Sequence, residues 1–227
     1  MHSINRSSSA APLAITALRA FSFMQQKLDR PGTTHVLLLG QALQDLGDAN
    51  RSLGDVFLPY WSSLSHGVLW ADTDWKNCNH YYHPTQQRGM WLFSNAVKEC
   101  SFYFEAARKL WQQRNRAEAA FYLGAAMHLV QDLCVPFHTI PQLLMGHRYF
   151  EEYAERAAAA HMRTPCEGPT GQNEVSLLAR ENALFSAEYL ADLLKNGAEM
   201  YDAVLSKVVP QALYSSKKVF ELFIESV

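Results

Sequence analysis

The chain has 227 residues, 48% of them hydrophobic and 19% charged, with 20 basic against 22 acidic residues and a formal net charge of −2. That apolar fraction excludes whole-chain disorder, the length fits one domain or two, and the charge balance leaves no basic footprint for nucleic acid or an anionic surface. No stretch approaches the roughly 20 apolar residues that a membrane-spanning helix needs.

Residues 1–24 read as a leader or a flexible N-terminal segment. Arg6 and Ser7-Ser8-Ser9 precede a small apolar run, Ala10 to Ala20, that Pro12 and Arg19 interrupt. Residues 25–227 read as one helical domain. A first helix is expected from Thr33-Thr34, whose hydroxyls can cap free backbone amides, to about Asp48, burying His35, Leu39, Ala42, Leu43 and Leu46. After a polar, turn-rich connection at 70–87, an amphipathic helix is expected over about 88–114, carrying Trp91, Phe93, Val97, Phe102, Phe104, Ala107 and Trp111. The next is expected from Ala117 to about Cys134, stopped by Pro136, because proline disfavours helix in the residue before it. Three more are expected at about 145–160, 174–195 and 198–226, the last broken near Pro210, with a second turn-rich connection at 163–173. Strand signals are scarce and no repeat is visible, so the expected fold class is all-α. The cysteines Cys78, Cys100, Cys134 and Cys166 form no Cys-x-x-Cys pair and allow either two disulfides or four thiols.

The chemistry is carried by histidine and carboxylate. His128 and Asp132, four apart, share one face of their helix with Ala117, Phe121 and Gly124. That face drives two polar groups toward the core, where a carboxylate needs a cation, a proton or several donors. Gly124 leaves room for another element to approach. His147 and Glu151 repeat the spacing on the next helix, His138 follows Pro136-Phe137 between the two, His35 sits in the first helix, and His80 follows Asp72 in the turn-rich segment. Each pair alone is commonplace. Together, five segments supply the ligand types zinc takes at roughly 2.0–2.2 Å, and a helical bundle can bring such groups together. His2, His66, His83 and His161 have no such context.

The run Phe121-Tyr122-Leu123-Gly124, then His128-x3-Asp132, Pro136-Phe137-His138 and His147-x3-Glu151, resembles the zinc-dependent bacterial phospholipase C family, which includes the catalytic domain of clostridial alpha-toxin. Gly32-Thr33-Thr34-His35 resembles that family's first histidine segment, and Ala71-Asp72 with Asn79-His80 resembles its aspartate and second histidine. The resemblance implies a buried three-zinc site. Asp72, His80, His128 and Asp132 would hold one ion; Asp132 would bridge to a second on His35; His138, His147 and Glu151 would hold the third. Asp72, preferred to Asp74 because it follows alanine, would also orient or deprotonate the attacking water. The implied reaction cleaves glycerophospholipids to diacylglycerol and a phosphorylated headgroup, with transient membrane-surface contact, no nucleic-acid partner, a monomeric state, and a secreted or periplasmic location.

The chain departs from the family pattern in places. In the family, the ion on the first histidine also takes the amino group of an N-terminal tryptophan, and no tryptophan precedes Trp61 here. Thr73 and Asn77 stand where the best-known members have aromatics at the headgroup site, so Trp70, Trp75, Tyr81 and Tyr82 become candidates to line a different pocket. No β-sandwich is expected after Val227, so membrane contact is expected to come from the helical domain itself. Two alternatives stand beside the phospholipase C reading: the related zinc single-strand nucleases, disfavoured by the lack of a basic groove, and a zinc-stabilised, non-catalytic interaction domain.

Overall fold

The computed structural model describes residues 32–74, 76–90, 93–141, 145–163 and 173–227. The expected leader at 1–24, His2, Trp75, Trp91, Cys166 and most of the 163–173 connection lie outside them.

Among the described residues the chain is helical, with one isolated antiparallel bridge between His83 and Arg88. The helices are α1 (Thr33–Ala49), α2 (Arg51–Phe57), α3 (Trp61–Trp70), α4 (Ala96–Gln112), α5 (Arg116–Asp132), α6 (Met145–His161), α7 (Val175–Ala187), α8 (Leu190–Asn196) and α9 (Tyr201–Glu225). Short 3-10 turns at Lys76–Asn79 and Pro136–Thr139 carry His80 and His138 into the site.

α5 is the axis of the fold. From Leu123 to Asp132 every residue is buried, so this helix has neighbours on all sides. A short turn returns the chain from α4, whose Asn95 side chain caps the helix by accepting from the Lys98 amide at 3.1 Å. On another side α3 crosses α5 at a glycine pair: a Cβ at Gly67 would lie 1.8 Å from the Phe121 carbonyl oxygen, and one at Gly124 would lie 2.1 Å from that of Leu64. Backbones at that separation require glycine, and the crossing delivers Ala71 and Asp72, just past α3, to the end of α5. α7 and α9 cover the remaining sides. On α7, the buried Asn182 and Ser186 donate to the carbonyls of Val130 and Leu133, so polar groups within the helix packing remain paired.

The helices at Thr33, Arg116 and Met145 begin and end close to expectation. Four expectations are corrected. The segment expected to be helical from 88 starts only at Ala96, because residues 83–88 form a turn closed by the His83 bridge. α2 and α3 were not anticipated: α3 buries Leu64, Gly67 and Val68, a stripe in which a glycine replaces the apolar signal. The expected 174–195 helix is divided between α7 and α8 at Glu188-Tyr189. α9 runs unbroken through Pro210. A mid-helix proline costs about 3 kcal/mol, and the flanking buried Val204, Leu205, Val208, Val209 and Leu213 offset that at roughly 1.5–3 kcal/mol each.

No disulfide joins Cys78, Cys100 and Cys134; Cys100 is fully buried, and burial pushes its thiol pKa up.

Candidate metal centre

Every histidine and carboxylate singled out as a ligand converges on the C-terminal end of α5. Asp72, His80, His128 and Asp132 offer one ligand atom each, all within 4.8 Å of one another, and His138, His147 and Glu151 do the same beside them. His35 approaches from α1, its Nε2 3.3 Å from Asp132 Oδ1. Among the described residues it is joined by no further His, Cys, Asp or Glu to make a third group of three. Asp74 is outside the cluster, at φ 55° and 3.5 Å from Lys76 Nζ.

The hydrogen bonds around the rim fix which ring nitrogen points inward. His80 Nε2–H donates to the Ala71 carbonyl at 3.2 Å, which leaves Nδ1 to face Asp132 Oδ2 at 2.6 Å and Asp72 Oδ1 at 3.5 Å. His138 Nδ1–H donates to the Asp132 carbonyl at 2.9 Å, so its bare Nε2 faces Glu151 Oε1 at 3.7 Å. His35 Nδ1–H donates to Gln131 Oε1 at 2.8 Å, leaving Nε2 toward Asp132. In each case the second ring nitrogen meets a carboxylate oxygen, and a neutral ring there sets acceptor against acceptor, an arrangement that a cation between them satisfies.

Buried atoms without partners mark the same places. His128 Nε2 lies 3.2 Å from both Asp72 Oδ1 and Asp132 Oδ2, yet it is aligned with neither for a hydrogen bond. Asp132 Oδ2 and His147 Nε2 are likewise unpartnered, although His147 Nε2 is only 2.7 Å from Glu151 Oε1. Unpaired polar atoms at this depth are rare and costly. A tetrahedral ion with bonds of roughly 2.0–2.2 Å keeps its ligand atoms about 3.3–3.6 Å apart. The separations of 3.2, 3.2 and 3.5 Å around Asp72, His80, His128 and Asp132 fit that figure, with only the 2.6 Å pair too close. The donor set therefore suits zinc.

The electrostatics agree. Burial opposes charge on Asp72, but His128 and His80 outweigh it and hold the carboxyl at about 2. Asp132, fully buried, is likewise held well below the carboxylate range once His128, His138 and His80 overcome burial. His128 is the counterpart: burial alone would lower its pKa, and the Asp132 and Asp72 carboxylates raise it well above the ordinary value. Burial wins at His138, which falls to about 4 and stays neutral.

The cluster forms one wall of a cavity of about 490 Å³. Leu38, Val135, Phe150, Leu205, Val208 and Val209 give the rest of its lining an apolar part. Of the aromatics expected near a headgroup, Tyr81 lines the cavity. Trp70 instead packs on Phe121 and Tyr103, and Tyr82 lies in the core. The remaining histidines serve elsewhere: His66 packs against Phe121, His83 accepts from the Gln86 amide, and His161 pairs with Asp202 at 2.9 Å.

Sequence reasoning missed the contribution of α9 and the role of Gln131. The signal for the second was a glutamine directly before Asp132 in a helix apolar on every side.

Comparison with known proteins gives the same picture. The family model described as zinc dependent phospholipase C matches residues 34–205, which include every ligand candidate. The phospholipases C of two type A strains of Clostridium perfringens are each 30% identical over 100 residues, 42% of this chain and 25% of theirs. The matched stretch thus spans a quarter of those relatives' length. Alpha toxin from Clostridium absonum superposes with a TM-score of 0.72 at 18% identity, covering 87% of this chain and 65% of that one. Clostridium perfringens alpha-toxin from an avian strain gives 0.70 at 17% identity with the same coverage. At such low identity these two likenesses speak for the fold, and it is the family match across most of the helical domain that settles kinship: the chain belongs to the zinc dependent phospholipase C family.

Proposed function

We propose that this chain is a zinc-dependent phosphodiester hydrolase of the phospholipase C type, cleaving glycerophospholipids to diacylglycerol and a phosphorylated headgroup. The observation that carries the reading is that His35, His80 and His138 each commit one ring nitrogen to an outward acceptor and turn the other toward a carboxylate, beside a cavity partly lined by apolar side chains. Asp72, His80, His128 and Asp132 would hold one ion, His138, His147 and Glu151 another, and His35 with Asp132 would contribute to a third. Zinc in such sites supplies a Lewis acid for phosphoryl oxygens and brings the pKa of a bound water to about 7.

The chain's own residues position the reactants. Asp72 lines the cavity and keeps 35% of its side-chain surface exposed while its Oδ1 faces His80 and His128. A carboxyl held at about 2 is a poor proton acceptor at neutral pH, so its role is to orient the attacking water by accepting a hydrogen bond. Glu151, also part-exposed, stands across the cluster on α6. The apolar lining from α1, α6 and α9 suits the glycerol-acyl side of the substrate and excludes water from it. Exposed Leu37 and Tyr149 adjoin the cavity residues Leu38 and Arg148 in sequence and are suited to transient contact with a lipid surface. We read the chain as a monomer acting outside the cytoplasm, in keeping with the family resemblance.

The test is zinc-loaded chain on phosphatidylcholine and phosphatidylethanolamine vesicles, with single-stranded DNA in parallel. Zinc-dependent release of diacylglycerol and the phosphorylated headgroup is expected. DNA cleavage without lipid cleavage would favour the nuclease alternative, and bound zinc with neither activity the non-catalytic one.

A further inference from the structure

We propose that Gln131 is a positioning residue that fixes the tautomer and ring orientation of His35, through a hydrogen-bond relay anchored in α9. The inference rests on the reading of His35 as a zinc ligand. Gln131 is 2% exposed and lies directly before Asp132 on α5. Its Oε1 is 2.8 Å from His35 Nδ1, and its Nε2 is 2.9 Å from Ser216 Oγ. Ser216 in turn donates its hydroxyl hydrogen to the Ala212 carbonyl at 2.7 Å.

The direction of each bond follows from the last. A backbone carbonyl only accepts, so the Ser216 hydroxyl must give its single proton to Ala212 and can only accept from the glutamine. The amide therefore turns its NH2 to Ser216 and its oxygen to His35. An amide oxygen only accepts, so His35 must carry a proton on Nδ1, and its neutral tautomer presents Nε2 without a proton to Asp132 Oδ1, 3.3 Å away. The choice of ring nitrogen on α1 is thus dictated by a carbonyl on α9, with every link buried or half-buried. Outer partners of this kind typically change metal affinity by roughly 10–100-fold when removed.

His35 also has less support than the other ligands. Among the described residues only Asp132 shares its position, whereas the other ions would have three or four protein ligands each. An error in the ring of His35 therefore falls on the weakest of the sites.

The experiment uses the full chain and two readouts. The first is long-range proton–nitrogen NMR of the histidine rings on chelator-stripped protein, which reports the His35 tautomer with no metal present. The second is competition of a chromogenic chelator for zinc, resolving the weakest-held ion. Wild type should show His35 as the Nδ1–H tautomer. Gln131→Leu, close in volume, should convert it to the Nε2–H form or a mixture and weaken the loosest zinc by roughly 10–100-fold, leaving the tighter ions unchanged. Gln131→Glu keeps an oxygen facing Nδ1 and should restore the wild-type tautomer. Ser216→Ala, a milder change that unpins the amide, should give a smaller shift in the same direction. An unchanged Nδ1–H tautomer in Gln131→Leu would overturn the proposal. If wild type bound no zinc, the proposed function would fail, while the tautomer result would still decide whether Gln131 sets the ring.

Discussion

His128 Nε2 and Asp132 Oδ2 stand 3.2 Å apart, one turn from each other on α5, both buried and both without a hydrogen bond. Two groups that could pair but instead aim at common space are positioned for a third body. Asp132 does the most: its carboxylate faces His35, His80 and His128, and its carbonyl fixes His138.

Asp132→Ala should therefore remove more than one zinc per chain, and Glu151→Gln or His147→Ala only one. Each ion carries several kcal/mol of transition-state charge stabilisation, and 1.36 kcal/mol is tenfold in rate. Lipid hydrolysis by Asp132→Ala should fall by at least about 1,000-fold. Elemental analysis beside a diacylglycerol assay checks both parts.

Gly67→Ala and Gly124→Ala should each destabilise the fold without touching a ligand. The added methyl would meet backbone carbonyl oxygens at 1.8 and 2.1 Å, and backbone yields less readily than a side chain. Overpacking of this kind costs about 1–3 kcal/mol, or roughly 2–12 °C of melting temperature for a chain of this size. Because the crossing positions Asp72 against His128, zinc affinity should fall with stability. A substitution that left both the melting temperature and zinc affinity unchanged would mean that the helices do not cross this closely.

The metal-free chain should be most stable near pH 6.5. Burial, complete for His128 and partial for His147, lowers their pKa, but their facing carboxylates (Asp132 and Asp72 for the first, Glu151 for the second) raise it further. Their contribution is complete below the unfolded value and is lost as pH rises through the folded one. His138 is held at about 4, so between 6.5 and 4 the unfolded chain takes up a proton that the folded chain refuses, and stability falls on acidification. Denaturant midpoints across pH 4–9 should trace that maximum. Zinc replaces the proton on His128, so binding should release protons and the alkaline decline should disappear in the loaded chain.

Chelation should lower the melting temperature at neutral pH, since an ion bound only by the folded state stabilises it by mass action. Calorimetric scans before and after chelator treatment, with zinc added back, test this. A melting temperature indifferent to zinc would argue that the clusters hold none.

The pairs His128/Asp132 and His147/Glu151 were legible in the sequence because helical spacing is local: residues four apart on α5 and α6 share a face whatever packs against them, and the resemblance implied the remaining candidate ligands. The expected burial of Leu39, Ala42, Leu43 and Leu46 in α1 follows from the same periodicity and is observed. α3 was hidden because Gly67 carries its contact, and a glycine that admits a backbone leaves no apolar signal. The continuity of α9 through Pro210 depends on the burial of its neighbours, a tertiary effect that outweighs local propensity. The pairing of Gln131 with Ser216 was not legible because it spans 85 residues, although a glutamine inside a fully buried helical stretch signalled the need for some partner.

The deciding measurement is zinc content per chain, by elemental analysis of the 227-residue chain in its native and Asp132→Ala forms. At least two zinc ions are expected on the native chain, with a third where His35 takes part, and a loss of more than one in the variant. A native chain that carries no zinc after reconstitution would contradict the proposed metal centre.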